Sequence, residues 1–362
     1  MTQQPSTRRR RIAAGIAAIP AAVLAVTACA GTGSPSASGS RDPADVHVAF
    51  IYQTTDSNFA QEMALGATAA GEDTGVDLDA AAPPQAIGAP QVQLFQAAER
   101  TSTDGIALAT LFPDLFVRPF TDAADLGIPT IAVDAGPAEG APVDLYIGND
   151  NVELGEALAT ALLPSIPEDA TGEILIGTDT PGLPVLTDRN TGFKDVIQDE
   201  RPGITFVEFD SKQSPTDNYS AWSSAVSAHP DAIAYVGPGS QDAASLAQIE
   251  QKTGTKLLVG AADLDPIALQ GVADGYVTAL ASPEHWLKGY IAISLLADHA
   301  INGTELPTGW WNPGYLVVDA DNVAEITERQ SSAENRTAWF AKEAQQELAN
   351  PDAYLSAMPD AG

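Results

Sequence analysis

The chain reads as an α/β protein whose parallel sheets are covered by helices on both faces and divided between two lobes. Three observations lead there. Continuous apolar runs such as Gly105–Ala109 and Thr130–Val133 alternate with segments of helical spacing. Strands without a polar alternation belong to sheets buried on both sides. The pattern then restarts after Asp150, and the strands along the chain are too many for one economical sheet, whereas the length suits two lobes of ordinary size.

The first unit sets the tone. Val48, Phe50 and Tyr52 lie on a short run with strand propensity, and a polar loop follows from Gln53 to Asn58. Phe59, Met63, Gly66/Ala67 and Ala70 then recur at helical spacing, with Gly75 where the helix ends. Ser57 or Asn58 can cap that helix by accepting hydrogen bonds from its first free N–H groups. Such loops lie at the carboxyl ends of strands, where open α/β sheets hold ligands. Thr54, Thr55, Asp56, Ser57 and Asn58 beside the ring of Phe59 suit a small polyhydroxylated molecule, hydroxyls to the polar groups and a C–H face to the ring. The plainer reading is that Asn58 only caps and Phe59 only packs.

The units that follow are strand 76–81, helix Gln91–Arg100, strand Gly105–Ala109, a helix from Pro113 to Leu126 and strand Thr130–Val133, ending at Asp134. After the restart come a helix from Glu153, strand Glu173–Gly177, helix Arg189–Gln198, strand Ile204–Phe209, helix Tyr219–Ser227, strand Ala232–Gly237 and helix Ala243–Thr253. Strand Lys256–Gly260 ends near Asp263, helix Pro266–Ala273 follows, and strand Val277–Ala281 ends at Ser282-Pro283.

The amino terminus carries an address. Arg8 to Arg11 give a positive start, Ile12 to Val26 is apolar and rich in alanine, and small residues follow, which together predict a secretory signal over 1–28. The apolar run is short for a membrane span and contains Pro20. It ends Val26-Thr27-Ala28-Cys29, the pattern of a bacterial lipoprotein signal, with Cys29 as the acceptor of lipid. Cys29 is the only cysteine, so no intramolecular disulfide exists. Residues 29–45 are rich in Gly, Ser and Pro and read as a flexible tether that holds the rest on the outer face of the membrane. The arginines permit either the general or the twin-arginine export route.

Seventeen Lys and Arg stand against 48 Asp and Glu, a net charge of −31, and the signal takes four arginines with it. That balance excludes nucleic acid as a partner, because phosphates need a basic face. Enzyme motifs are missing too: there is no G-x-S-x-G elbow (Gly237-Pro-Gly-Ser240 has the wrong spacing), no phosphate-binding loop and no H-E-x-x-H. His47, His229, His285 and His299 lack metal-ligand spacing, so neither a metal nor another cofactor is expected.

The order of segments resembles the substrate-binding proteins of bacterial ABC sugar importers, periplasmic binding proteins of type I with ribose-, galactose- and xylose-binding members. The resemblance is carried by DSNFAQEMALGATAAGEDTG (56–75), TDGIALATLFPD (103–114), LGIPTIAVD (126–134), IGNDNVELG (147–155), DRNTGF (188–193), HPDAIAYVG (229–237), GAADLDPIALQGVADG (260–275), ASPEHWLKGY (281–290) and TGWWNPGYLVVDADNV (308–323). It covers roughly residues 46–330. It implies two Rossmann-like lobes joined by a hinge of three crossing strands, with the ligand in the cleft between them. The implied lobes are 46–149 plus 284–313 and 150–283 plus 314–362, with the tail from Arg329 resembling an amphipathic extension found in some members. It also implies a sugar-like ligand, a permease with its ATPase as partners, and a monomer. A receptor feeding a membrane sensor kinase, or a secreted carbohydrate-active enzyme, stands as the alternative.

The ligand residues carry over unevenly. The family's aromatic platform matches Phe59, flanked by Asp56, Ser57 and Asn58, but its second aromatic falls on Ala60. The carboxylate ending the fourth strand matches Asp134. An arginine of ribose binders falls on Thr187, while Arg189 matches the arginine of R-x-x-G-F. An Asn-Asp pair falls on Gly239-Ser240, with Asp242 just beyond, and the next carboxylate matches Asp263. The glutamine of the second crossing falls on Pro283, next to Glu284. Thr110 after the third strand and Gln213 after strand 204–209 complete the candidates. A carboxylate accepts strong hydrogen bonds from hydroxyls, an arginine fork donates back, and a ring covers the C–H face. Asp134 and Asp263 have capping as their alternative role, and Arg189 a structural ion pair. Trp286 and Trp310-Trp311 read as packing residues, with Trp286 near a hinge.

One expectation can be checked on the chain alone. Cys29→Ser is expected to move the exported protein from the detergent phase to the aqueous phase of a detergent extraction. A wild-type protein already aqueous, with a start other than residue 29, would show the anchor to be wrong.

Overall fold

The computed structural model describes residues 40–358. The signal and Cys29, with most of the tether, lie outside them. The described end of the tether is docked: the Arg41 N–H donates to Ile301 O at 2.9 Å and its guanidinium to Asp104.

The first half folds as β1 (His47–Ile51), α1 (Asn58–Thr74), β2 (Asp77–Ala81), α2 (Gly88–Thr101), β3 (Gly105–Ala109), α3 (Val117–Asp125), β4 (Thr130–Val133) and β5 (Leu145–Ile147). The second runs α4 (Asn151–Leu162), β6 (Gly172–Thr178), α5 (Pro184–Glu200), β7 (Ile204–Asp210), α6 (Pro215–Ala228), β8 (Ala234–Gly237), α7 (Asp242–Thr253), β9 (Val259–Ala262), α8 (Pro266–Ala273) and β10 (Ala279–Ser282). Then follow α9 (His285–Asn302), β11 (Gly309–Trp311), β12 (Leu316–Val318), α10 (Val323–Arg329), α11 (Ala333–Ala349) and β13 (Leu355–Ser356). Helices α5 and α6 start earlier than their apolar spacing predicts, because Pro184 and Pro215 occupy the first turn, where a missing N–H costs nothing. β5 has only three residues and no alternation, so periodicity does not reveal it.

The strands form two sheets of the same design. One has the order β13-β11-β5-β4-β3-β1-β2, the other β12-β10-β9-β8-β6-β7. Within them β2-β1-β3-β4-β5 and β7-β6-β8-β9-β10 are parallel and correspond one to one. The central strands β3, β8, β9 and β10 are buried at every position, which is why they read as unbroken apolar runs. The order reverses beside β1 and beside β6, so the carboxyl ends there form crevices.

The chain passes between the lobes at 148–150, 283–284 and 312–315. A fourth passage at 330–332 leads from α10, which packs on α8, to α11, which packs on α9. β13 then adds an antiparallel strand to β11. The expected assignment of 314–362 to the second lobe is therefore corrected for 333–358, which build on the first. The cause is apolar: Phe340 stacks on Trp286 at 5.2 Å and Tyr354 on Trp311 at 6.0 Å, a match between distant segments that spacing does not reveal.

Each lobe is held by a helix pair in van der Waals contact through glycine. A methyl at Gly66 of α1 would meet Trp286 O of α9 at 1.9 Å, and one at Gly289 would meet Met63 O at 1.9 Å. In the second lobe Gly155 of α4 faces Arg189 O at 2.0 Å and Gly192 of α5 faces Val152 O at 1.9 Å. Alanine is favoured over glycine in an exposed helix by about 1 kcal/mol, but here overpacking at about 1–3 kcal/mol dominates. Gly289→Ala and Gly192→Ala are each expected to lower the melting temperature by several degrees. A raised melting temperature would mean that the helices part freely.

Candidate functional site

Asp134 and Asp263 are counterparts. Each follows a buried strand, β4 or β9, and each adopts the left-handed backbone region, with φ of 72° and 69°. The Asp134 N–H donates to Ile147 O of the neighbouring strand at 2.8 Å, and the Asp263 N–H to Ala281 O at 3.0 Å. Aspartate tolerates this conformation better than most residues, and a strained backbone clusters at working sites. The turn aims both carboxylates into the space where the lobes meet.

Two residues of α9, one helical turn apart, link them. Lys288 Nζ donates to Asp134 Oδ1 at 2.6 Å, and His285 Nε2 lies 2.8 Å from Asp263 Oδ1. Lys288 Nζ also lies 3.4 Å from His285 Nδ1, and that nitrogen is 3.6 Å from Asp134 Oδ1. The ring of His285 thus stands between the two carboxylates, with Nδ1 towards Lys288 and Asp134 and Nε2 towards Asp263. Asp134 Oδ2 accepts from Gln53 Nε2 at 3.2 Å, and the ring of Phe59 lies 5.6 Å from that of His285. All of these residues are buried. Burial alone would raise the Asp134 carboxyl, but Lys288 and His285 outweigh it and hold the group at about 2. Asp263 is also lowered: burial opposes, while His285 and then Arg189 prevail. Burial pulls the Lys288 ammonium down against the attraction of Asp134.

Arg189 of α5 completes the cluster from the second lobe. Its Nε donates to Asn151 Oδ1 at 3.0 Å and its NH1 to Pro238 O at 2.8 Å. It thus touches no carboxylate directly, yet its charge acts on Asp134 and Asp263. The alternative role, a structural ion pair, is not what the side chain makes: both of its hydrogen-bond partners are neutral.

The remaining candidates separate from this centre. Asp56 is exposed; Ser57 stands at the N-cap of α1 without a side-chain bond to it, so the expected side-chain cap is absent there. Asn58 keeps a buried Oδ1 without a partner. Thr110 donates to Gln91 Oε1 at 2.8 Å, and Thr187 is exposed and bonds Leu183 O of its own helix. Gln213 and Ser240 are half-buried on the loops after β7 and β8. Asp242 is fully buried as a hub: its Oδ1 accepts from Ser211, Asn218 and Trp222 at 2.7, 2.9 and 2.7 Å, and its Oδ2 from Gly239 N. Glu284 forms a buried ion pair with Arg329 (2.8 and 3.3 Å), so its carboxylate is turned to α10. Sequence reasoning missed Gln53, Asn151, His285 and Lys288. The i, i+3 spacing of His285 and Lys288, directly after a crossing, was the available signal.

Apolar contact surrounds the polar centre. Ala135 and Leu111 of the first lobe pack with Leu183, Val185 and Leu186 of the second. Beyond them lies a groove of about 1090 Å³ between 111–115 and 135–143 on one side and 180–185 on the other, whose walls do not include the two aspartates. A smaller cavity of about 330 Å³ belongs to the second lobe alone. Among the described residues no group of three or more His, Cys, Asp or Glu is placed to hold a metal, and no helix is long and apolar enough to cross a membrane.

A family profile described as a periplasmic binding protein domain matches residues 48–305. The chain belongs to this family. The two parallel-sheet lobes of this periplasmic binding protein are thereby those of a known architecture. Among solved structures, a solute-binding protein of an ABC transporter from Burkholderia graminis, in complex with D-arabinose, superposes with a TM-score of 0.71 at 25% identity, covering 78% of this chain and 98% of that one. One from Agrobacterium vitis, bound with alpha-D-tagatopyranose, gives 0.70 at 25% identity, covering 77% and 96%. Two curated relatives are the xylose/arabinose-binding protein XylF of Sulfolobus acidocaldarius, 23% identical over 236 residues (59% of this chain), and the fructose import binding protein FruE of Bifidobacterium longum, 30% identical over 186 residues (50% of this chain). The matches span 58% and 55% of those two relatives.

The second lobe also carries a pH signature. Asp179 lies against Gly239, where an added methyl would stand 2.2 Å from its Oδ2. Burial, then the neighbouring Asp242, pushes its carboxyl up to about 7. The unfolded chain ionises this group near its ordinary 3.8, so above that pH the folded state holds the extra proton and stability falls as pH rises. The loss grows between about 4 and 7 and is complete above the folded value, at an order of a few kcal/mol. Asp179→Asn should flatten this slope and raise the melting temperature at pH 8 but not at pH 4. An unchanged slope in denaturant titrations at the two pH values would show that Asp179 is ionised in the fold.

Proposed function

We propose that this protein is the extracytoplasmic solute-binding component of an ABC importer and that it captures a neutral sugar or sugar-like molecule between its lobes. The observation that carries the reading is the convergence of two buried, ionised aspartates, one from each lobe, beside Phe59 and Arg189. Hydroxyls donate to carboxylates more strongly than to neutral acceptors. The ring of Phe59 takes a C–H face, and Gln53 and Asn58 offer buried carbonyl oxygens without partners. Two carboxylates, one ammonium and one guanidinium leave the centre near electroneutrality, which favours an uncharged ligand. The names of the relatives, which include binders of xylose, arabinose and fructose, support the substrate class. A ligand that touches both lobes favours the closed arrangement. The sequence of residues 1–29 supports export and attachment through a lipid on Cys29.

A panel of pentoses, hexoses and polyols against melting temperature tests the reading. A ligand at about a hundred times its dissociation constant adds about 2.7 kcal/mol, and no shift with any of them would end the proposal. The sugar found then tests the site. Asp134→Ala would leave the Lys288 ammonium no oxygen acceptor, whereas the isosteric Asp134→Asn and Asp263→Asn keep an amide oxygen in place while removing the charge, so these are the informative variants. A hydrogen bond to a charged group contributes about 1.5–3 kcal/mol, so each variant should bind about ten- to a hundredfold more weakly by calorimetric titration. A folded variant that binds like wild type would remove that aspartate from the site.

A further inference from the structure

The groove beside the aspartates is larger and differently lined than a site for one sugar ring requires. Single-ligand sites run to about 300–1,000 Å³, and this space of about 1090 Å³ excludes Asp134 and Asp263 themselves. It nevertheless begins beside them. Ala135 follows Asp134 and lines the groove, as does Asn151, the partner of Arg189.

Its walls combine flat rings with hydrogen-bond acceptors. Tyr146 and Trp310 stack at 6.4 Å with an angle of 16°, and Trp310 Nε1 donates to Gly148 O at 2.6 Å, which fixes the half-buried indole in the wall. The charged side chains of the lining are Asp114, Glu139, Asp150 and Asp188; no Lys, Arg or His is among them. Asn149, also in the wall and 3% exposed, spends its amide N–H on Gly314 O and keeps Oδ1 buried without a donor.

We infer that this groove is a second subsite, which takes a further neutral sugar unit of the ligand, so that the protein binds a short glycoside. The inference rests on the sugar-binding reading above. Sugar hydroxyls can donate to the carboxylates of Asp114, Glu139 and Asp188, and the rings of Phe112 and Trp310 offer apolar faces to the C–H patches of the second unit. A phosphorylated or uronic unit would meet four like charges and is excluded.

Titration calorimetry on the full exported chain, with D-xylose and xylobiose, D-glucose with cellobiose and maltose, and D-fructose with sucrose, tests the subsite. Wild type should bind at least one disaccharide tenfold or more tighter than the matching monosaccharide. Phe112→Ala and Asp188→Asn, both at the rim and apart from the Asp134–Asp263 centre, should bring that disaccharide to the level of the monosaccharide and leave the monosaccharide unchanged. Monosaccharides that bind as well as or better than every disaccharide would overturn the subsite and leave the sugar-binding reading standing. Variants that weaken both ligands equally would overturn it as well. If no sugar of either length binds, the proposed function itself fails and takes the subsite with it.

Discussion

An ammonium buried between two lobes controls what the rest of this molecule can do. Lys288 is 1% exposed, and removing a charge of this kind from water costs several kcal/mol unless a partner of good geometry stands ready. Asp134 is that partner at 2.6 Å, and it stays ionised against its own burial because Lys288 and His285 are there. His285 carries the compensation across to Asp263 on the other lobe. The approach of the lobes and the ionisation of the carboxylates are thus one problem with one solution. A ligand acts on the hinge by adding contacts to this centre, since only a difference in affinity between two arrangements shifts their populations.

The backbone is built to serve that centre. Both aspartates sit in the left-handed region at matching strand ends, and both are clamped by an N–H to the carbonyl of the next strand. Behind each stands a helix pair that glycine lets approach to backbone contact: Gly66 and Gly289 behind Asp134 and Lys288, Gly155 and Gly192 behind Arg189. Close packing of these helices fixes the side chains they project, because interiors this dense do not deform gradually. The second crossing is braced from outside. Glu284, itself at a φ of 49°, is held by Arg329 as α10 ends, while Glu62 of α1 takes Gln330 and Arg336 just beyond. The C-terminal segment thereby ties the crossing to both lobes.

The relation to known proteins agrees with this division of labour. The two sugar-bound solute-binding proteins share the fold at 25% identity, a level at which a scaffold persists while side chains in the cleft are exchanged. The arginine of ribose binders falls on Thr187, which bonds its own helix, and His285 and Lys288 stand beside the aspartates on the helix after the crossing.

The sequence by itself determined the α/β class, the two lobes and the places of Phe59, Asp134, Arg189 and Asp263, because periodicity and strand-end position are local properties that neighbours in the chain express. It also carried the strongly acidic character of the chain. Which side of each polar residue faces the cleft was not legible. Asp242 and Glu284 read as ligand contacts and proved to be a hydrogen-bonded hub and a buried ion pair. Gln53 read only as the start of a polar loop, His285 only as a histidine without metal-ligand spacing, and Lys288 not at all. Their partners lie 81, 22 and 154 residues away. Only the tertiary structure decided those pairings, because the cost of burying a charge is settled by whichever opposite group the fold brings within reach, at any distance along the chain.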